Sequence, residues 1–131
     1  MSHLELITRY YGYFNAGDFA SMVDCVTEDF AHDPNQGTRR VGKAQFREFL
    51  AKMERCYEER VSDLVIMESG DRAAAEFLIN GKYVAGEDDL PPARGQTYTL
   101  PVGAFFELRE GKIARLTNYY NLADWLAQVS A

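Results

Sequence analysis

Four side chains of this chain could take or give a proton beside a carbonyl group: Tyr10, His32, Asp33 and Glu76. Tyr10 lies at the end of a helical pattern, five residues ahead of Asn15-Ala16-Gly17-Asp18, and an Asp33-Pro34 pair follows soon after. An aromatic hydroxyl facing an apolar cavity can donate a hydrogen bond to an oxygen that gains charge in a reaction. A carboxylate or imidazole on the facing wall can remove a proton from carbon, and an apolar wall tunes its pKa for that task. Adjacent strand residues point to opposite faces, so a regular strand turns either His32 or Asp33 to the cavity and not both. Glu76 interrupts an Ala, Phe, Leu and Ile strand. Facing inward it is a third base candidate, and facing outward it is a surface residue. Plainer roles stand beside these: a core hydroxyl for Tyr10, a structural histidine at 32, and the opening of the Asp-Pro turn for Asp33.

The elements that must hold these groups are legible in the periodicity. Ser2-x-x-Glu5 is a capping box that opens a first helix, and Ile7, Tyr10, Tyr11 and Phe14 form its apolar stripe. Gly17 ends it and Asp18 caps a short second helix with Phe19, Met22, Val23 and Val26 on its inner side. Phe30 to Asp33 is a short strand that stops at Pro34, and Asn35-Gln36-Gly37-Thr38 is turn chemistry. After Gly42 a third helix carries Phe46, Phe49, Leu50, Met53 and Tyr57 at helical spacing. The period then changes to that of strands: 61–68, 72–84 with a bulge expected at Asn80-Gly81, 98–108 and 112–120. Residues 85–96, with Gly86, Pro91, Pro92 and Gly95, form a loop long enough to rim a pocket. Leu122, Trp125, Leu126 and Val129 make a short closing helix. Helices followed by a run of strands, without repeats or linkers, predict one α+β domain over 1–131, with a curved antiparallel sheet wrapping helices.

Composition narrows the function classes. A length of 131 residues with 47% apolar content supports a real core. Eight Tyr, eight Phe and one Trp are rich for this length and suit the walls of an apolar cavity. A net charge of −6, with Arg39-Arg40 as the main basic cluster, argues against nucleic acid and against an anionic membrane surface. Cys25 and Cys56 sit in helical apolar patterns and read as buried free thiols. His3 and His32 are the only histidines, and no spacing suits a metal. No phosphate-binding loop or dinucleotide fingerprint is present, so no cofactor is expected. The absence of a targeting segment or a long apolar run leads us to expect a soluble cytoplasmic protein.

Arg9-Tyr10 with Asn15-Ala16-Gly17-Asp18, then Asp33-Pro34, Gly42, Phe46, Phe49, and Pro101 with Phe105 resemble the bacterial ketosteroid isomerases. Over nearly the whole chain the pattern is similar to the ketosteroid-isomerase-related and SnoaL-like branch of the NTF2-like superfamily. The resemblance implies a cone-shaped NTF2-like fold: three N-terminal helices packed in a curved, mostly antiparallel β-sheet, with a short C-terminal helix. It also implies a homodimer formed through the sheet and an apolar cavity for a small carbonyl compound. The family's oxyanion tyrosine matches Tyr10. Its catalytic aspartate matches Asp33 across a one-residue gap, with His32 the neighbouring alternative. Its protonated aspartic acid falls at Gly103, which has no side chain to donate, so weak or no steroid isomerisation is expected. In that family the tyrosine and the protonated aspartic acid together form the oxyanion hole. The expected cavity wall comprises Phe14, Phe30, Phe49, Met53, Tyr57, Glu76, Tyr83, Gly103, Phe105, Asn118, Tyr120 and Trp125. The expected chemistry is proton transfer beside a carbonyl, as in an isomerase, cyclase or dehydratase. A non-catalytic binding or dimerisation domain is the alternative, because this fold hosts both.

Overall fold

In the computed structural model, which describes residues 2–35 and 37–131, Ser2 accepts a hydrogen bond from the Glu5 amide (3.1 Å) and starts helix α1, His3–Ala16. Gly17 closes it in the left-handed region (φ 71°), where a side chain would be strained. Asp18 accepts from the Ser21 amide and caps α2, Phe19–Asp24. Val26 does not belong to α2 as expected: it opens strand β1, Val26–Asp33, which is longer than its apolar end alone indicated. Its β-branched side chain suits that extended backbone. A two-residue strand β2, Arg40–Val41, pairs with β1 and was not expected. The turn expected over 35–38 includes Gln36, which lies outside the described residues.

Helix α3 spans Lys43–Cys56. Tyr57 is not its last turn but the first residue of β3, Tyr57–Ser69, with extended backbone (φ −135°, ψ 147°). Strands β4, Arg72–Tyr83, β5, Gln96–Arg109, and β6, Lys112–Tyr120, follow, and α4, Leu122–Ser130, ends the order. The six strands form one curved open sheet in the order β2-β1-β6-β5-β4-β3. Only β1 and β6 pair in parallel; the other neighbours are antiparallel.

The bulge expected at Asn80-Gly81 is absent, because β4 keeps unbroken register with both neighbours there. The irregularity lies instead in β3, between Ser62 and Val65, where Asp63 takes a positive φ of 56°. Just before it, the Asn15 side chain donates to the Val61 carbonyl (3.0 Å) and accepts from the Val61 amide (2.8 Å). This pair of bonds ties the end of α1 to β3.

The helices pack on the concave face. Ile7, Tyr10 and Tyr11 of α1, Met22 of α2 and Phe46 and Leu50 of α3 share one core with Phe77, Val102, Ala104 and Phe106 of the sheet. Each such buried side chain is worth about 1.5–3 kcal/mol of transfer free energy. A second cluster of Tyr83, Tyr98, Leu100, Trp125 and Val129 seats α4 against the sheet. Between the two clusters the packing leaves space.

Candidate functional site

Which side chains face that space is decided by cross-strand register. His32 pairs with Leu116, Leu116 with Phe106 and Phe106 with Ala73, and all four belong to the buried, concave row. Asp33 pairs with Thr117, Thr117 with Phe105, Phe105 with Ala74 and Ala74 with Met67. Phe105 and Met67 are 47% and 51% exposed, so this row is the convex one. Facing residues across a sheet share a side, hence His32 points in and Asp33 points out.

Asp33 is instead a structural anchor. Arg39 grips it in bidentate fashion (2.9 and 3.0 Å), and the Thr117 hydroxyl donates to it at 2.6 Å. The Arg39 hydrogen bonds hold its carboxyl below the usual range, and both of its oxygens are committed to Arg39 and Thr117 away from the cavity.

His32 is 2% exposed. Its ring stacks on Phe30 (centroids 5.5 Å) and meets the edges of Phe46 (5.2 Å) and Phe49 (4.7 Å). Burial pushes its pKa down to about 4, helped by the Arg40 guanidinium and opposed by Asp33, so the ring is neutral at pH 7. Among the described residues its Nδ1 finds no hydrogen-bond partner, and neither does the buried Tyr11 hydroxyl. Such unpaired buried groups are uncommon and call for a cause.

The cavity measures about 410 Å³. Tyr10, Tyr11 and Phe14 of α1 line it, with His32 of β1 and Phe46, Phe49 and Met53 of α3. Burial raises the Tyr10 hydroxyl far above its ordinary pKa, so it can only donate or accept a hydrogen bond as a neutral group. Phe77, Val102, Asn118 and Tyr120 form the sheet side of the wall, and Tyr57 and Trp125 stand at the α4 end.

Five expected wall residues lie elsewhere. Glu76, Gly103 and Phe105 belong to the convex face, one residue out of phase with Phe77, Val102 and Ala104. Phe30 is wholly buried behind His32 and Phe46, one layer below the cavity. Tyr83 is wholly buried too, stacked on Tyr57 (5.4 Å), with its hydroxyl donating to the Pro91 carbonyl at 2.7 Å. Beside Gly103, the β5 residue turned to the cavity is Val102, whose side chain cannot donate a hydrogen bond either.

A set of polar groups was missed. Glu59 lines the cavity and accepts a 2.5 Å hydrogen bond from the Tyr98 hydroxyl. Glu87, from the loop after β4, accepts from the Tyr57 hydroxyl and pairs with Lys52 of α3 at 2.5 Å. Arg40 lies over the Phe49 ring (5.9 Å) at the wall. The alternation of Tyr57, Glu59 and Val61 would have placed Glu59 inward had β3 been started at Tyr57. Among the described residues no cluster of three or more His, Cys, Asp or Glu side chains could hold a metal, and no helix is long and apolar enough to cross a membrane. Cys25 and Cys56 are buried and form no disulfide.

Residues 7–116 match the model of the SnoaL-like domain. The chain belongs to the SnoaL-like family. A candidate polyketide cyclase from Pseudomonas putida is 54% identical, with 98% of each chain covered and a TM-score of 0.97. A second candidate polyketide cyclase, from Silicibacter, is 51% identical over 97% of this chain and 94% of that one, with a TM-score of 0.94. A Catenulispora acidiphila protein with a ketosteroid-isomerase-like fold, solved with trimethylamine, is 18% identical over 96% of this chain and 92% of that one, with a TM-score of 0.80. That likeness shows the fold. No functionally curated protein sequence matches the chain.

Proposed function

We propose that this SnoaL-like protein is a cofactor-independent enzyme of cyclase or isomerase type that moves a proton beside a carbonyl of a small, largely apolar compound. His32 is the base. The observation that carries this assignment is the split at β1: a neutral imidazole faces the cavity, while Asp33 is tied to Arg39 and Thr117 on the other side of the sheet. Neutral imidazole has a free lone pair on one nitrogen and so can accept a proton. Tyr10 offers a neutral hydroxyl in the same wall and serves as the donor to the developing oxyanion. The relatives that are 51% and 54% identical, both candidate polyketide cyclases, support the reaction class.

The molecule works as a homodimer through the convex face, which carries Val65, Met67, Phe105 and Tyr119, each about half exposed. An exposed apolar row of this kind is costly on a monomer and marks an interface.

Proton transfer can be tested without knowing the natural substrate. Exchange of α-hydrogens for deuterium on 2-tetralone, followed by NMR in heavy water, reports carbanion formation. We expect exchange above background with the native protein, and a loss of roughly 10² to 10⁴ in rate with His32→Gln. A 3-keto-5-ene steroid should isomerise slowly or not at all, since neither Gly103 nor the cavity-facing Val102 carries a side chain that can donate a hydrogen bond. Equal exchange by native protein and His32→Gln would remove His32 from the mechanism.

A further inference from the structure

The mechanism above leaves Glu59 unused, although it is an ionisable group in the wall of the cavity. Three residues share one cross-strand row: Glu59 of β3 pairs with Gly81 of β4, and Gly81 with Tyr98 of β5. Side chains on strands two apart do not normally meet, because the middle strand's side chain stands between them. Here the middle residue is glycine. A Cβ built on Gly81 would lie 2.3 Å from Tyr98 Cζ and 2.5 Å from its hydroxyl oxygen, so the Tyr98 ring occupies the place of the missing side chain. The hydroxyl is thereby carried across β4 to Glu59 Oε2 at 2.5 Å. Tyr98 is itself 4% exposed and held edge-on to Trp125 (centroids 6.0 Å). The carboxyl is thus fixed in direction by three strands, the kind of support that a binding group in a cavity wall requires.

We propose that Glu59, positioned by Tyr98 across Gly81, is a specificity-determining hydrogen-bond acceptor for a hydroxyl group on an aromatic or enolic ligand in the cavity. The chemistry follows from the donor inventory. One carboxyl oxygen accepts the hydrogen bond of the Tyr98 hydroxyl, and the group retains acceptor capacity for a ligand. The surrounding wall is aromatic, with Tyr57, Tyr120 and Trp125 among its members, and suits a flat ring. β3 and β1 stand at positions six and two of the six-strand order, so this acceptor is on a different flank of the cavity from His32. The proposal rests on the cavity being a ligand site, as the reading above also does, but not on His32 being a base.

The probes are 2-naphthol and 2-methoxynaphthalene, equal in ring system and different in the one donor proton. Binding is measured by isothermal titration calorimetry. Native protein should bind 2-naphthol roughly tenfold to a hundredfold more tightly, the span of a hydrogen bond to a charged acceptor. Glu59→Gln should reduce that preference to within about threefold, leaving the affinity for 2-methoxynaphthalene unchanged. His32→Gln should leave the preference intact, which separates a failure here from a failure of the base assignment.

The positioning role of Tyr98 is read from pH. Burial raises the Glu59 carboxyl, the Tyr98 bond draws it back, and Glu87 adds to the rise. Tyr57 of the same strand and Tyr120 of β6 also face it, and Lys52 of α3 is held by Glu87. Affinity for 2-naphthol should therefore fall as pH is lowered through the raised Glu59 value, since the ionised form accepts best. Tyr98→Phe keeps the ring over Gly81, loses the bond, and should move that midpoint to higher pH. A native protein that does not distinguish the probes, binding of neither, a preference that survives Glu59→Gln, or an unmoved midpoint in Tyr98→Phe would each overturn the proposal.

Discussion

Acid should destabilise this protein through His32, and the size of the effect can be worked out. His32 is buried and neutral, with a folded pKa lowered to about 4 from an ordinary 6.5. Above the ordinary value neither the folded nor the unfolded chain binds the proton, and stability is complete. Below it the unfolded chain takes the proton and the folded chain does not, so stability is lost as pH falls from 6.5 toward 4. Integrating between pH 7 and pH 4.5 gives a loss of about 2.4 kcal/mol, within a ceiling of about 3.4 kcal/mol for the whole shift. Asp33 adds its own loss at lower pH, because its carboxyl is held down by Arg39. The comparison chain is His32→Phe, which keeps an aromatic ring among Phe30, Phe46 and Phe49 and cannot titrate. Any packing cost of the extra ring atoms is independent of pH, and the titration of Glu59 and the other carboxyls cancels between the two proteins. Urea unfolding followed by the fluorescence of Trp125, the one tryptophan, yields the free energy at each pH. The native curve should fall away from that of His32→Phe by about 2.4 kcal/mol over this window. Parallel curves would show that His32 keeps an ordinary pKa, and would sink both the burial argument and the picture of a neutral base in an apolar wall.

The remaining predictions concern single contacts. Asp33→Asn should leave the exchange of 2-tetralone intact while costing about 1 kcal/mol of stability, since Arg39 is half exposed and the pair is partly screened; a collapse of exchange would return Asp33 to the site. Gly81→Ala should destabilise by about 1–3 kcal/mol in thermal or urea unfolding, because its methyl group would sit where the Tyr98 ring lies, and an unchanged Tm would show that the ring moves freely aside. If the proposed dimer forms through the convex face, Phe105→Glu, against Tyr119 (centroids 5.8 Å), should turn it into monomer in sedimentation velocity without altering the cavity; an unchanged sedimentation coefficient would place any interface elsewhere.

Much of the architecture could be read locally. The Ser2 and Asp18 caps, the glycine at 17 and the apolar stripes of α1 and α3 depend on neighbours within a few residues, so sequence alone states them. The switch from helical to strand period after α3 and the order of β3 to β6 were legible for the same reason. Tyr10 on the inner side of α1 followed directly from that stripe. Element ends were less secure. Tyr57 fits a helical stripe as well as a strand, and only its pairing with Tyr83 settles that it begins β3.

The choice between His32 and Asp33 is of a different kind. Alternation says that they point opposite ways, and no local signal says which way is in. Pairing with Leu116 and Thr117, more than eighty residues further on, decides it, and a slip of one residue would exchange them. The same parity, with Phe77 paired to Val102 and Ala75 to Ala104 on the inner side, removed Glu76, Gly103 and Phe105 from the wall together. Glu59, Gly81 and Tyr98 looked unrelated in the chain, and Gly81 read as a weak point in a strand. Three-strand register makes them one unit. The sequence determined that a tyrosine, one of His32 and Asp33, and many aromatic side chains would share one fold, because periodicity and capping act over a single turn or strand. Tertiary structure decided which ionisable groups face that cavity, because a residue's side of a sheet is a property of its partners and not of itself.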